Sequence, residues 1–493
     1  MTSPASSSAD PIEPLGAPAE PAGPGEPSRP ATPGRPAEPA GGIGPDEGRS
    51  ALDLRRTPEV RDAYVLGGNR IPFARAGGAY AGVSNQDLLT AALDGLVARF
   101  GLQGEKLGEV AGGAVLKLAG DLNLTRESAL GTPLDPRTPA LDLSKACATG
   151  LETVMHVSNR IRLGQIDSAI ACGVDSASDS PIEVTPRLRR LLHRLNAARS
   201  LPQRLAVLAG ARPGDLAPVP PRNSEPRTGL SMGEHQAVTT AQWGISRQAQ
   251  DELALASHRA LAAAYDSGFL DDLVTGYRGI GRDTNLRPDS SLEKLASLKP
   301  VFGLGSPAVA EPTMTAGNST PLTDGASAVL LGSREWAAAR GLTPLARVVD
   351  SRSAAVDFAH GEEGLLMAPA YAVPELLDAH GLALADIDLY EIHEAFAATV
   401  LSTLAAWESE DFCRDRLGRT APLGSIDRSR LNVTGSSLAA GHPFAATGGR
   451  IVATLAKLLH QRARETGRSQ RGLVSICAAA GQGTVALLEA DPA

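Results

Sequence analysis

The chain has 493 residues, 42% of them apolar, 21% charged and 3% aromatic, and a formal net charge of -8. That length exceeds what one hydrophobic core organises, so two or more domain-sized units are expected. Few aromatics and a negative balance argue against a nucleic-acid binder, and no run of 18 or more apolar residues offers a membrane-spanning helix.

Residues 1–55 form a segment apart. Twelve prolines fall in the first fifty positions, with hardly a large apolar side chain among them, too little buried surface to offset the entropy of ordering. The segment is predicted to be disordered. Pro18, Pro21 and every third residue to Pro39 are proline, the repeat of polyproline II, and the expected role is a solvated spacer. Neither an apolar signal segment nor an acid-free, Arg-rich presequence is read there, so the cytoplasm is the expected location. Cys147, Cys172, Cys413 and Cys477 are too few and too far apart for a disulfide framework and contain no C-x-x-C pair, which fits a reducing compartment.

From Asp62 strand-like and helix-like segments alternate, which predicts an α/β body. Ala63–Leu66 reads as a buried strand. Ser84 reads as an N-cap with Asp87 three residues on; Leu88, Leu89, Ala92, Leu93, Leu96, Val97 and Phe100 make the apolar stripe, and Gly101 the stop. Strand-like Pro139–Leu143 leads into Cys147, then a helix to Leu163 and a strand Ser168–Gly173. In the second half Gly441-His442-Pro443 precedes a helix of about Thr447–Arg462 and a strand Leu473–Cys477. This echo of loop, helix and strand predicts a duplicated architecture. Between the two lies a less regular stretch of about 180–300, basic at first with Arg187, Arg189, Arg190, Arg194, Arg199, Arg204 and Arg212, then helical from Arg247 to Tyr265. It reads as an insertion on the first repeat, whose cations either meet phosphates or form a solvated amphipathic surface.

Four segments place a reactive side chain among small residues. Cys147 opens a helix, where unpaired amides and the helix dipole favour a thiolate, so it is the candidate nucleophile; a lone cysteine is otherwise more often a small buried residue. His442, held between Gly441 and Pro443, has its ring direction set by backbone, as a base for that thiol requires. Cys477 ends a strand and enters Ala478-Ala479-Ala480-Gly481-Gln482-Gly483, where backbone amides can approach an oxyanion and the thiol can shuttle a proton. His393 ends the strand Leu389–Ile392 and is placed to polarise a carbonyl. His393-Glu394 lacks the second histidine of H-E-x-x-H, so no zinc or other metal is expected.

Together these segments resemble the thiolase family. The Cys147 segment resembles its nucleophile motif, Asn432 to Arg450 its N-x-x-G-G-x-x-A-x-G-H-P-x-G-x-T-G-x-R motif, and Cys477 to Gly483 its C-x-G-G-G-x-G motif, with further matches at Ser231–His235, Gly244–Arg247 with Asp251, and Thr315–Thr320 with Asp324-Gly325-Ala326. The resemblance implies the five-layered thiolase fold, with two similar α/β halves at 56–335 and 336–493 and a CoA-covering loop domain inserted in the first. It implies thiolysis of 3-ketoacyl-CoA through an acyl-Cys147 thioester, or the reverse Claisen condensation, with CoA as co-substrate and no tightly bound cofactor. His393-Glu394-Ala395-Phe396 stands where other thiolases have N-E-A-F, and resembles the branch of fatty-acid-oxidation thiolases and the trifunctional complex β-subunit. By the same resemblance Met232 and Phe396 line the acyl or pantetheine channel, Thr320 takes the place of a pantetheine-contacting serine, and Ala479 supplies an oxyanion-hole amide. A homodimer or homotetramer and a hydratase/dehydrogenase α-subunit are the implied partners. Ser436, Ala445 and Ala479 replace family glycines; Ala479 is tolerated if its φ is negative and strained if positive. The rival readings are a ketosynthase of the same fold, which lacks a cysteine at the position of Cys477, and a lipid-binding or scaffold relative without turnover.

Overall fold

The computed structural model describes residues 60–492; the proline-rich segment 1–55 and its expected disorder lie outside them. Strands β1 (Tyr64–Arg70), β2 (Glu109–Gly112), β3 (Ala140–Asp142), β4 (Ser168–Ser176) and β5 (Thr323–Gly332) form the first sheet, in the order β3-β2-β4-β5-β1. β6 (Ala346–Ala355), β7 (Leu389–Ile392), β8 (Gln470–Ala478) and β9 (Gln482–Ala490) form the second, in the order β7-β8-β9-β6. The senses also agree. β2 runs parallel to β4 as β7 does to β8, and the two following pairings in each sheet are antiparallel. Where β3 pairs with β2, the second half has a single parallel bridge from Tyr390 to Leu431. The predicted duplication is thus visible strand for strand. The two sheets join along one short edge, where Tyr64 and Val65 of β1 pair with Arg347 and Ala346 of β6.

Helix α1 (Asn85–Phe100) covers the outer face of the first sheet. It begins where Ser84 accepts the Asp87 amide at 3.1 Å and ends at Gly101, whose left-handed φ of 63° a side chain would resist. Leu88, Leu89, Leu93, Leu96 and Val97 are buried as predicted, each stabilising by about 1.5–3 kcal/mol, while Phe100 is only half-buried. α2 (Thr149–Arg162) follows the Cys147 loop. Past β4, residues 177–322 make the insertion, with helices α3 (Pro186–Ala197), α4 (Leu201–Leu208), α5 (Met232–Gln242) and α6 (Arg247–Asp266). In the second half, α7 (Ala368–Ala379) and α8 (Ala397–Glu408) cover the outer face, and α9 (Ala446–Thr466) follows the His442 loop.

Three apolar clusters define five layers. One lies between α1 and the first sheet, one between α7, α8 and the second sheet, and the largest around α2 and α9 between the sheets. Those two central helices meet at glycine. A Cβ on Gly448 would stand 2.1 Å from the Leu151 nitrogen, and one on Gly150 would stand 2.4 Å from the Ala445 carbonyl oxygen. Only backbone fits at that crossing, so the N-termini of α2 and α9, and the loops that enter them, are brought side by side.

Candidate active site

The loop before α2 is tied by its own side chains. Thr149 Oγ1 accepts the Lys145 amide at 2.8 Å and donates to the Ala146 carbonyl at 2.7 Å, with Ala146 at a left-handed φ of 45°. For alanine that conformation costs about 1–2 kcal/mol. Cys147 keeps partial exposure and packs against the inner core that contains Ala439, Ala440 and Ala446, the residues flanking the His442 loop. Here the structure corrects an expectation. The helix starts at Thr149, two residues on, and burial pushes the Cys147 thiol up to about 12, although the amides of Ala479 and of Cys147 itself act in the opposite sense.

His442 follows Gly441, whose φ is 100° and where a Cβ would lie 2.6 Å from Thr323 Cγ2. Its amide donates to Thr323 Oγ1 at 2.8 Å, and Nδ1 meets Thr447 Oγ1 at 2.6 Å. His393 stands just past β7, its amide donating to the Ser475 carbonyl at 2.8 Å and its Nδ1 2.8 Å from Ser437 Oγ. Arg450 Nη2 donates to that same Oγ at 2.9 Å. Ser437 Oγ thus links the His393 ring to Arg450 and fixes the orientation of the imidazole. The two rings lie 4.1 Å apart, both residues are buried, and neither Nε2 has a hydrogen-bond partner. Burial, reinforced by Arg450, lowers His442 to about 3; burial, His442 and Arg450 hold His393 well below its ordinary value. Both imidazoles are neutral.

Glu394 turns away from this pair. Its carboxylate accepts Asn432 Nδ2 at 2.7 Å, Ser257 Oγ at 2.8 Å and the Leu438 amide at 3.1 Å. It braces the loop that carries His442. Asn285 Nδ2 donates to the Leu438 carbonyl at 2.8 Å, and the segment it comes from is held by the buried pair Arg70–Asp283 at 2.6 Å. The insertion therefore supports the His442 loop.

Cys477 is 4% exposed, and burial, with Cys147 nearby adding to it, drives its thiol upward. It packs in one cluster with Phe396, Met232, Phe302 and Phe358. Ala479 does not have a positive φ, so alanine is accommodated there and its amide faces the Cys147 sulfur. The strain falls one residue later. Ala480 also stands at a glycine position of the family pattern, and adopts φ 62° at about 1–2 kcal/mol. Its amide donates to Glu225 Oε1 at 2.7 Å, from the insertion.

Thr320 donates from Oγ1 to the Ala395 carbonyl at 3.0 Å and lines a cavity of about 580 Å³ with Phe302 and Ser319. Its cations are Arg75, Arg287 and Lys294. None of the arginines between 187 and 212 lines it, so the early basic part of the insertion is not what faces this cavity. Sequence reasoning missed Ser437, Thr447, Arg450 and Glu225. Ser437 and Thr447 lie five residues either side of His442, but which polar residue meets a ring nitrogen depends on how the loop folds.

Family profiles described as "Thiolase, N-terminal domain" and "Thiolase, C-terminal domain" match residues 63–335 and 342–490. A 3-ketoacyl-CoA thiolase of Pectobacterium atrosepticum is 41% identical over 88% of this chain and 97% of its own length; one of Yersinia pestis is 40% identical over 87% and 96%. Among solved structures, the Bacillus anthracis acetyl-CoA acetyltransferase superposes with a TM-score of 0.71 at 28% identity, covering 88% of this chain and 99% of that one. Human mitochondrial 3-ketoacyl-CoA thiolase gives 0.70 at 25% identity, covering 88% and 100%.

Proposed function

We propose, for a chain that belongs to the thiolase family and carries out CoA-dependent thiolysis of 3-ketoacyl-CoA, that Cys147 is the nucleophile, His442 its base, Cys477 the proton carrier at the α-carbon and His393 a donor to the developing oxyanion. The observation that carries this reading is the glycine crossing that sets the Cys147 loop beside the His442 loop, where two adjacent imidazoles have free Nε2 atoms. Thiol and imidazole both rest uncharged, so proton transfer accompanies attack. Sulfur bonds to the 3-keto carbon as its proton passes to His442, and the carbonyl oxygen meets the amides of Ala479 and Cys147.

When the C2–C3 bond breaks, its electron pair becomes the acetyl-CoA enolate. Nε2–H groups of His393 and protonated His442 hold the enolate oxygen, and Cys477 protonates the carbon. Acyl-Cys147 remains. A second CoA gives its thiol proton to Cys477, attacks the thioester and leaves with the acyl group, and Cys147 regains its proton from His442. Run backwards, the same steps condense two acyl-CoAs.

CoA is the co-substrate, and these steps call on no tightly bound cofactor. Thr320, Met232 and Phe396 would line its pantetheine arm or the acyl chain, and Arg75, Arg287 and Lys294 would meet its phosphates. No helix among the described residues is long and apolar enough to cross a membrane, and four free cysteines support a cytoplasmic location. The three-residue edge strand β3 supports a homodimer, alone or within a homotetramer. Exposed Ile182, Leu201, Leu205 and Leu216 supply a surface for a hydratase/dehydrogenase α-subunit.

The test is acid-quenched mass spectrometry after mixing with 3-ketoacyl-CoAs from acetoacetyl-CoA to long chains. An acyl mass on the Cys147 peptide is expected. Acylation at Cys477 instead, or thiolysis surviving in Cys147→Ala, would sink the assignment.

A further inference from the structure

Glu225 lies in the insertion, far in sequence from every reactive residue, yet it is 5% exposed and its carboxylate accepts the amide of Ala480 at 2.7 Å. Its own placement is fixed by a closed turn, in which the Glu225 amide donates to the Leu230 carbonyl at 2.9 Å and the Gly229 amide to the Glu225 carbonyl at 2.8 Å. That turn is tied to helix α5, since Thr228 Oγ1 lies 2.7 Å from His235 Nε2. The edge of the His235 ring meets Phe358 at 5.6 Å between centroids, and Phe358 occupies the space a Cβ on Gly481 would need, 2.6 Å away. The Val356 amide donates to the Gly481 carbonyl at 2.8 Å.

The three-residue turn after Cys477 is thus gripped at two adjacent points, Ala480 by Glu225 and Gly481 by Val356 and Phe358. Both residues are left-handed, with φ of 62° and 69°. Gly481 holds that shape without cost; alanine at 480 does not, and relaxes unless its amide is restrained. Relaxation would swing the peptide next to Ala479, the residue whose amide faces the Cys147 sulfur.

We propose that Glu225 is a positioning residue for the oxyanion hole: it holds Ala480 left-handed, keeps the Ala479 amide aimed at the carbon Cys147 attacks, and so makes acylation depend on a seated insertion. This rests on the assignment of Cys147 and Ala479 above. A buried carboxylate bonded to a backbone amide is a strong, directional restraint, and here it acts where the chain has no glycine to make the turn unaided.

A double-mutant cycle in the full-length enzyme tests it, with kcat, KM, acyl-Cys147 formation by quenched mass spectrometry, and melting temperature read for each protein. Glu225→Ala is expected to lower kcat roughly 10- to 100-fold with KM little changed, below the ~10²–10³-fold cost of losing an oxyanion donor outright. Glu225→Gln, which retains an oxygen acceptor, restores most of the rate. In an Ala480→Gly background the loss caused by Glu225→Ala shrinks to about threefold, because glycine no longer needs the restraint.

Equal losses in both backgrounds, or Glu225→Gln as impaired as Glu225→Ala, would overturn the proposal. If Glu225→Ala is not recovered folded, Glu225→Gln against the one-methylene-shorter Glu225→Asp reads the same restraint: the first active and the second impaired supports it, and equal rates overturn it. An acyl group that still forms on Cys147 while the cycle shows no coupling removes this inference alone. Absence of acyl-Cys147 in the wild type removes the mechanism beneath it.

Discussion

Each half of the molecule contains two adjacent antiparallel strands at the same place in its sheet order, β4–β5 in the first and β8–β9 in the second, and their connections could hardly differ more. Residues 177–322 join the first pair, residues 479–481 the second. One connection became the insertion; the other stayed a tight turn. The divergence extends to single positions. β4 and β8 each have nine residues, and the eighth is Asp175 in one and Cys477 in the other. Asp175 accepts the amides of Val115, Leu116 and Ala445 and so stitches the halves together; Cys477 makes no such bonds. Just past β2 stands Gly113, where a Cβ would lie 1.9 Å from the Leu143 carbonyl oxygen, and just past β7 stands His393. Duplication supplied two equivalent frames. The second half contains three of the four side chains proposed to react, and the first contains the proposed nucleophile and the insertion.

The most severe way to probe that division is to remove the first half's one reactive atom. Cys147→Ala should lower thiolysis roughly 10⁴-fold or more with the melting temperature nearly unchanged, since no covalent intermediate remains; a stopped assay of free CoA consumption measures it. Gly448→Ala attacks the joint instead. Its new Cβ would meet the Leu151 nitrogen at 2.1 Å, backbone against backbone, so a loss of about 3 kcal/mol by urea unfolding is expected, with activity falling as the Cys147 and His442 loops part.

Ser437→Ala sharpens the asymmetry at His393. It leaves the ring but removes the hydroxyl that orients it, so about a tenfold fall in kcat with KM unchanged is expected, with recovery in Ser437→Thr. The smallest effect concerns Glu391, buried in β7 with neither carboxylate oxygen bonded. Burial and Glu394 push its pKa up, against Arg450, from 4.5 to about 8. The folded protein therefore retains a proton that the unfolded chain has lost. Its stabilising contribution is full below about 4.5, declines as pH rises, and is gone past about 8. The melting temperature of Glu391→Gln should be less sensitive to pH than wild type between pH 5 and 8, with the two curves parallel above that.

Much of this was legible in the residues. β7 has the predicted bounds, α6 ends one residue from its predicted stop, and α1 is capped by Ser84 and stopped by Gly101 as read, because caps, stripes and left-handed glycines are local properties. The thiol was misjudged for the opposite reason. Helix position argued for a thiolate, but the protonation of Cys147 follows from how much protein surrounds it. Likewise the question left open at Ala479 moved to Ala480, because φ in a strand-to-strand turn is set by the pairing of β8 with β9 and by what presses on the turn from outside.

The sequence by itself determined the alternation of elements, the duplicated order and the choice of four candidate reactive side chains, since periodicity, capping and short motifs are written in neighbouring residues. Only the tertiary structure decided that α2 and α9 cross at Gly150 and Gly448, that Ser437 links His393 to Arg450, and that Glu225 reaches Ala480. Those facts join positions tens to hundreds of residues apart, and packing, burial and backbone close approach arise only once the chain has folded back upon itself.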